Sequence, residues 1–595
     1  MTTVLAVRHL LWLAFRCDPG RLARASAMLA AGFLSTPLIA LCLKSLTTAA
    51  VNHDSGTAAR LALITAALLV FELMMNHFAH LSYFELGDLS EVELQNELIT
   101  LAHGVGNLEQ LDTPAYADTL ALVREELPRT RASLEAVLQL GGLVLQMGLT
   151  AVLLGSLNAW LLLLPVAGAI PVLAGNRAQR LVDRAKEDTA ALTRLGRHLL
   201  ETTTMLASVK EIRLSGAEAM LIERHQRDWA TTSTALRRAQ TRAALLRAAG
   251  QLTFAAAYGG AIYLVVRQAL QGGSGLGDVI LVIALAAQIS FQVSNGLGLL
   301  TIVQAAGCTM ERIRTLRSVA AASPESAVPG SGKLPAVLTR GIRLDHVSFH
   351  YPNSDRKVLD DVTLDIPAGT ALAVVGENGA GKSTLVKLLC GLYRPTSGRI
   401  LVDDVDLASA APAGWQRRVS TLFQDFARLE LRLRDNTGIG DLDRIDDDQA
   451  LQRAIDRAEA GPVRALVPDG LDGLLGRGYG DGTELSGGQW QKLGLARTLL
   501  RRGPLLVALD EPASALDATA EQALFERFAD LVTETRADTG AITVLVSHRF
   551  STVRMADLIV VLEQGSVSEV GTHADLIASG GLYAELYHLQ ARAYA

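Results

Sequence analysis

Gly376-Glu377-Asn378-Gly379-Ala380-Gly381-Lys382-Ser383-Thr384 fits the pattern G-x-x-x-x-G-K-[ST], a loop that binds phosphate. Residues 371–375 before it are apolar and read as a strand. Residues 385–389 after it read as the start of a helix. That strand–loop–helix context is what the motif requires. Its glycines let the backbone curl so that successive N–H groups face phosphate oxygens, and the positive end of the following helix adds to the attraction. Lys382 would then reach the β- and γ-phosphates of a nucleotide, and the Ser383 hydroxyl would hold Mg²⁺. The plainer reading, a glycine-rich turn before a core helix, leaves the Lys-Ser-Thr register unexplained.

Two features downstream turn a general phosphate loop into a particular machine. Residues 505–509 form an apolar strand that ends in Asp510-Glu511. The first carboxylate can bind Mg²⁺, and the second can orient or deprotonate an attacking water. Leu485-Ser486-Gly487-Gly488-Gln489 precedes a helix-like run over 490–500. Ser486, Gly487 and Gly488 open that helix and make a second anion-binding end. One chain therefore carries two phosphate-binding helix starts. A natural use is for each chain to cover the nucleotide of a second chain, which predicts a dimer with shared sites.

With these residues in view, the chain resembles the ATP-binding cassette (ABC) family. Tyr351, in Val347-Ser348-Phe349-His350-Tyr351-Pro352, sits where the family stacks an aromatic ring on adenine. Gln424 in Leu422-Phe423-Gln424-Asp425 matches the glutamine that touches Mg²⁺ and senses the membrane domain. Asp517 in Ser514-Ala515-Leu516-Asp517 matches the D-loop. His548, after the apolar run 542–546, matches the switch histidine on the γ-phosphate. The resemblance covers roughly the last 255 residues and implies ATP as the nucleotide, Mg²⁺ as the metal, Glu511 and His548 as catalytic residues, and Gln489 as part of the signature that acts on the partner's nucleotide. Many exporters of the family have Glu-Arg-Gly before the signature, whereas Gly480-Asp481-Gly482 stands here. The sequence around Gln424 and the signature is similar to bacterial exporters of modified peptides.

The first half is different material. The chain has 595 residues, 49% hydrophobic, with a mean hydropathy of +0.26, too apolar and too long for one soluble domain. Six windows approach the roughly 20 apolar residues that cross a bilayer: 26–46, 61–84, 134–154, 158–173, 246–266 and 276–303. Residues 1–15 are also largely apolar, but Arg16-Cys17-Asp18-Pro19 follows and no cleavable signal peptide is expected. Arg8, Arg16, Arg21 and Arg24 put the N-terminus inside, and the Arg-rich stretch 177–247 is inside as well. The two inside connections, 85–133 and 176–244, read as helices that extend the spans, with tips near Asp112-Thr113-Pro114-Ala115-Tyr116 and Ile212-Arg213-Leu214-Ser215-Gly216. In the family, short coupling helices sit at such tips.

The expected architecture is an all-α polytopic membrane domain over 1–315, a linker over 316–340, and an α/β P-loop ATPase domain over 341–595. The net charge of −6 and its even spread give no sign of a nucleic-acid partner. Cys17, Cys42, Cys308 and Cys390 are scattered, with neither a disulfide framework nor metal spacing.

Polar residues inside spans are costly in lipid and face a cavity or a partner helix. Gln288, Gln292 and Asn295 recur at i, i+4 and i+7 in span six. Glu72, Asn76 and His80 recur at i, i+4 and i+8 in span two, and Gln139 and Gln146 share a face of span three. Two readings stand side by side: interhelical hydrogen bonds, or the lining of a cargo path with Glu72, Gln288, Gln292 and Asn295 as its candidates.

The resulting expectation is an ATP-hydrolysing exporter in a bacterial plasma membrane, with cassette and N-terminus cytoplasmic. Its partners would be membrane lipid, an unidentified peptide, lipid or amphipathic cargo, and a second copy of itself. An intact set of site residues favours a homodimer over a heterodimer. An importer with an exporter-like fold, a lipid flippase and a non-transport ATPase are the alternatives.

Overall fold

The structure is a computed structural model that describes residues 2–103, 108–271, 275–321, 332–478, 480–512, 529–530 and 532–594. The chain forms two compact units. One contains residues Met1–Leu98 and Leu122–Arg314, and the other Ile99–Ala121 and Thr315–Ala595. Of the linker expected over 316–340, residues 322–331 lie outside the described residues.

The N-terminal helices are α1 (Thr2–Cys17), α2 (Pro19–Val51), α3 (Ser55–His103), α4 (Pro114–Glu126), α5 (Thr130–Leu157), α6 (Leu163–Ala167), α7 (Ala169–Asp188), α8 (Ala190–Thr204), α9 (Leu206–Ser215), α10 (Glu218–Leu270) and α11 (Leu276–Ala321); they build the first unit, except that the end of α3, the start of α4 and the end of α11 belong to the second. Among the described residues, six helical segments are long and apolar enough to cross a membrane. Hydroxyls within them bond their own helix: Ser35 donates to the carbonyl of Ala31, Thr47 to Leu43 and Thr65 to Leu61, at 2.8 Å each. This removes the cost of an unpaired polar group in hydrocarbon. Small residues allow close approach of neighbouring helices. A Cβ on Gly250 of α10 would stand 3.1 Å from the Pro171 Cα and 2.8 Å from the Ala174 Cβ of α7, the packing mode that apolar solvent favours.

The two long connections do extend the spans, since α3 runs for 49 residues and α10 for 53. Two features depart from the sequence reading. The fourth span is not one short helix. A 3₁₀ turn over Ala159–Leu162, the short α6 and then α7 make a broken segment reaching Asp188. Pro165 and Pro171 each lack an amide hydrogen and Gly168 stands at the break, so the ladder cannot run through. The second departure is α1, which residues 1–15 did not suggest. It buries Ala6, Leu10, Leu13 and Ala14 and leaves Trp12 and Phe15 exposed. Asp18 stops it and caps α2 by accepting the Arg21 N–H at 2.9 Å.

The second unit holds two sheets. One is antiparallel, in the order β2-β1-β4-β5, from β1 (Gly341–Phe349), β2 (Leu359–Pro367), β4 (Ser397–Val402) and β5 (Val405–Asp406). The other runs β10-β9-β3-β8-β7-β6, from β3 (Ala371–Gly376), β6 (Val419–Leu422), β7 (Leu506–Asp510), β8 (Ile542–Val546), β9 (Leu558–Glu563) and β10 (Ser566–Gly571). All its neighbours pair in parallel except β9 and β10. Every residue of β7 and β8 is buried, as expected of strands covered on both faces. Between the sheets lies one core that includes Phe349, Leu372, Val374, Leu385, Leu389, Trp415 and Val544.

Trp415 fills that core at 1% exposure, and its Nε1 donates to the Leu389 carbonyl at 2.8 Å. Trp415→Ala is expected to lower cassette stability by about 3–5 kcal/mol. Calorimetry of the purified full chain would read this as a fall in the cassette's unfolding midpoint, with Trp415→Phe falling much less.

Candidate functional site

The carboxyl ends of four adjacent parallel strands converge on one edge of the sheet, where open α/β sheets bind ligands. β3 leads into the P-loop, β6 is followed two residues later by Gln424, β7 ends in Asp510 before Glu511, and β8 is followed by Ser547-His548. The ladder fixes their registration: Leu422 pairs with Leu509, and Asp510 with Val546. Residues distant in sequence thus meet because parallel pairing aligns their strand ends.

The P-loop needs its glycines. Gly376, Gly379 and Gly381 have φ of 153°, 83° and 101°, which side chains rarely tolerate. A Cβ on Gly381 would also stand 2.7 Å from the Leu359 Cδ2 and 2.9 Å from the Val358 carbonyl. The helix Lys382–Leu389 starts directly behind, so its free N–H groups face the loop formed by Gly376, Glu377, Asn378, Gly379 and Ala380. The Lys382 ammonium donates to the carbonyls of Gly376 at 2.9 Å and Glu377 at 2.8 Å. Burial lowers its pKa, while the Glu511 and Asp510 carboxylates oppose that shift.

Asp510 is 3% exposed. Burial pushes its carboxyl pKa up, and a hydrogen bond with Ser383 pulls it down. Its Oδ1 is buried without a hydrogen-bond partner among the described residues. A buried, unpaired carboxylate oxygen beside a serine hydroxyl is a costly arrangement, and a hard divalent cation satisfies both oxygens. The residues present therefore fit Mg²⁺.

Glu511 stands at φ 50°, a left-handed conformation strained for a side-chain-bearing residue. Two contacts hold it there. Its N–H donates to the Val546 carbonyl at 3.0 Å, and the Gln491 side chain donates to the Pro512 carbonyl at 2.6 Å and more weakly to the Glu511 carbonyl at 3.4 Å. The strained turn points the Glu511 carboxylate at His548, whose Nδ1 lies 3.5 Å from Oε1. Gln491 was not singled out in the sequence. Its signal, a polar residue in the buried face of the helix Gly487–Leu500, is visible only once that face is known.

Tyr351 and Thr384 share a hydroxyl–hydroxyl bond of 3.1 Å, and the Tyr351 ring packs edge-on against Phe349 and Tyr393. The segment between α3 and α4 meets this group. Tyr393 donates its hydroxyl to the Asp112 carboxylate, Asn353 donates to the Asp112 carbonyl at 2.8 Å, and the Arg394 N–H donates to Glu109 at 2.9 Å. Burial and the Asp112 hydrogen bond both raise the Tyr393 pKa. Ser486 caps the helix Gly487–Leu500, with Gln489 completing a reciprocal capping box; Ser486 and Gly487 are exposed, and Gly488 is half-buried. Gln424 is exposed. Asp517 lies outside the described residues.

In the membrane unit, the four cargo-path candidates Glu72, Gln288, Gln292 and Asn295 line one cavity of about 500 Å³, together with Asn76, Gln139 and Gln146. His80 does not line it. His80 Nδ1 sits 2.6 Å from the Tyr83 hydroxyl, which donates to Glu135 at 3.1 Å.

The ABC transporter family model matches residues 359–514. An ATP-dependent lipid A-core flippase of Chromohalobacter salexigens is 31% identical over 430 residues, 72% of this chain and 70% of that protein. The chain belongs to the ABC transporter family. The nisin transport ATP-binding protein of Lactococcus lactis is 37% identical, but over only 42% of this chain and 40% of that protein. In fold, this ABC transporter is similar to a bacterial Atm1-family ABC exporter with ATP bound, at a TM-score of 0.79 and 23% identity, covering 96% of this chain and 98% of that one. Its cassette is an ATPase coupled to transport, and its helical unit is a multi-pass membrane domain.

Gln491→Leu keeps the helix and removes the bonds that hold the Glu511 turn. Loss of a buried bond of this kind costs about 1–3 kcal/mol. ATP turnover is expected to fall about tenfold, with KM for ATP within about twofold of the parent. Steady-state kinetics of the purified variant provide the check.

Proposed function

We propose that this chain is one half of an ATP-driven exporter that works as a pair of identical chains in a bacterial inner membrane, with N-terminus and cassette in the cytoplasm. The observation that carries the reading is the union in one chain of a complete hydrolysis cluster with a helical unit enclosing a polar cavity. The exporter-type fold supports outward movement, and the relatives are named for transport of nisin and flipping of lipid A-core.

In this reading ATP lies on the P-loop with its adenine on Tyr351. Lys382 and the N–H groups of residues 376–384 hold the phosphates. Mg²⁺ would be held by Ser383 and Asp510, with Gln424 nearby, and would neutralise charge on the β- and γ-phosphate oxygens. Glu511 takes the proton of the attacking water, and His548 steadies the γ-phosphate while fixing the carboxylate's orientation. Ser486, Gly487, Gly488 and Gln489 close over the partner's nucleotide, because the exposed serine sits on a helix start remote in sequence from the chain's own loop. Asp517 belongs to the same interface through the family resemblance. The bonds of Asp112 to Tyr393 and Asn353 give the adenine-binding aromatic group a direct link to the tip of the first inside connection. Cargo enters from the cytosol or inner leaflet and leaves outward as the spans reorient, with Glu72, Gln288, Gln292 and Asn295 on its path.

Glu511→Gln is expected to preserve ATP binding and abolish turnover, trapping ATP on a closed dimer. Near-parental hydrolysis in the purified variant would remove Glu511 from the base role. Inside-out membrane vesicles test direction: ATP-dependent accumulation of cargo is expected, and ATP-dependent release would reverse the reading.

Shared sites make a second prediction. Chains carrying Lys382→Ala, mixed with chains carrying Ser486→Arg, should regain one competent site per mixed dimer, where either parent alone has none. Failure of mixed dimers to trap nucleotide would count against sites built from two chains.

A further inference from the structure

The cavity enclosed by α2, α3, α5 and α11 has a wall of unusual composition. Its polar groups are one carboxylate, from Glu72, the hydroxyls of Thr36 and Tyr83, and carboxamides from Asn76, Gln139, Gln146, Gln288, Gln292 and Asn295; among the described residues no lysine, arginine or histidine lines it. Its apolar surface includes Phe33, Leu143 and Phe291.

Two observations show that this wall is not satisfied from within. Gln292 is 1% exposed, and neither atom of its carboxamide has a hydrogen-bond partner among the described residues. The Gln288 Oε1 is likewise buried and unpartnered, although its Nε2 donates to the Thr36 carbonyl at 3.3 Å. Helix-to-helix bonding would have paired these groups, so that reading does not account for them. The second observation is charge. Among the described residues Glu72 has no ion-pair partner; only the Thr36 hydroxyl donates to it, at 2.7 Å. Glu135, one layer away, accepts from Tyr83 at 3.1 Å and Gln139 at 2.9 Å and adds more negative potential behind the wall. A carboxylate inside a membrane domain without a countercharge is costly unless a cation visits it.

We propose that this cavity is a cargo subsite for a peptide segment bearing an ammonium group. The match is chemical. Carboxamides offer donor and acceptor together, as a peptide backbone requires. Glu72 takes the ammonium in a charge-assisted bond. The phenyl rings of Phe33 and Phe291 take apolar side chains and the methylenes next to the cation. A phosphate-bearing headgroup is disfavoured at the same wall, because it would meet Glu72 and find no basic side chain. This inference rests on the exporter reading and narrows it to one class of cargo.

The test uses the full chain in inside-out proteoliposomes and follows ATP-dependent accumulation of three fluorescent probes. One is a tripeptide amide with lysine between two phenylalanines, one is the same peptide with norleucine for lysine, and one is a labelled phospholipid. The lysine peptide is expected to accumulate with half-saturation at about one-tenth the concentration of the norleucine peptide. Glu72→Gln should erase that difference, and Glu72→Asp should keep part of it. Equal handling of the two peptides by the parent chain overturns the proposal even if no variant can be purified. So does a lysine preference that survives in Glu72→Gln, or accumulation of the phospholipid alone. In those three cases export itself stands. If ATP is hydrolysed and none of the probes accumulates, the subsite and the exporter reading fall together.

Discussion

A loop can cradle phosphate only if the strand before it and the helix behind it hold still, and in this protein that rigidity comes from β3. The strand lies between β8 and β9, paired in parallel on both sides, with Ala371 to Val375 all buried. Gly376 ends it against the Leu562 carbonyl, where a side chain has no room. Because β8 is also paired to β7, the same ladder that pins the P-loop delivers Asp510, Glu511 and His548 to it. Disturbing that strand would move the loop and the carboxylates together.

Cost accumulates where that frame is used. Asp510 is buried with an unpaired oxygen, and Glu511 sits in a left-handed backbone conformation beside it. Both are unfavourable for folding and survive because the surrounding sheet and Gln491 over-determine them. The membrane cavity follows the same logic in another solvent. Several hydroxyls in the spans, those of Ser35 and Thr65 among them, satisfy themselves on their own helices, whereas the carboxamides of Gln292 and Gln288 are left partly unpaired around one space. In each unit some of the unsatisfied groups stand where a ligand would satisfy them: Gln288 and Gln292 at the cavity, Asp510 beside the P-loop.

The cassette site was legible because its chemistry is local. The P-loop, the strand ending in Asp510-Glu511 and the helix opened by Ser486 are each short runs whose residue types fit one backbone shape. The spans were legible because lipid imposes a length and an apolar composition. The fourth span was less so, since hydropathy counts apolar residues and ignores the two prolines and the glycine that break the helix. Helix α1 escaped for a related reason: a short apolar run with one buried face looks the same whether it is a helix, a leader or part of a span.

Sequence alone determined the two kinds of material, the strand–loop–helix shape of the P-loop and the helical faces that carry polar residues in the spans, since all three depend on neighbours within a few positions. Only the tertiary structure decided that polar faces from α3, α5 and α11 turn toward one cavity, because helix rotation is set by packing against other helices. It alone brought Tyr393 to Asp112, residues far apart in sequence, and placed Gln491 behind Glu511. Periodicity says which residues share a face; only the packing of one element on another says what that face meets.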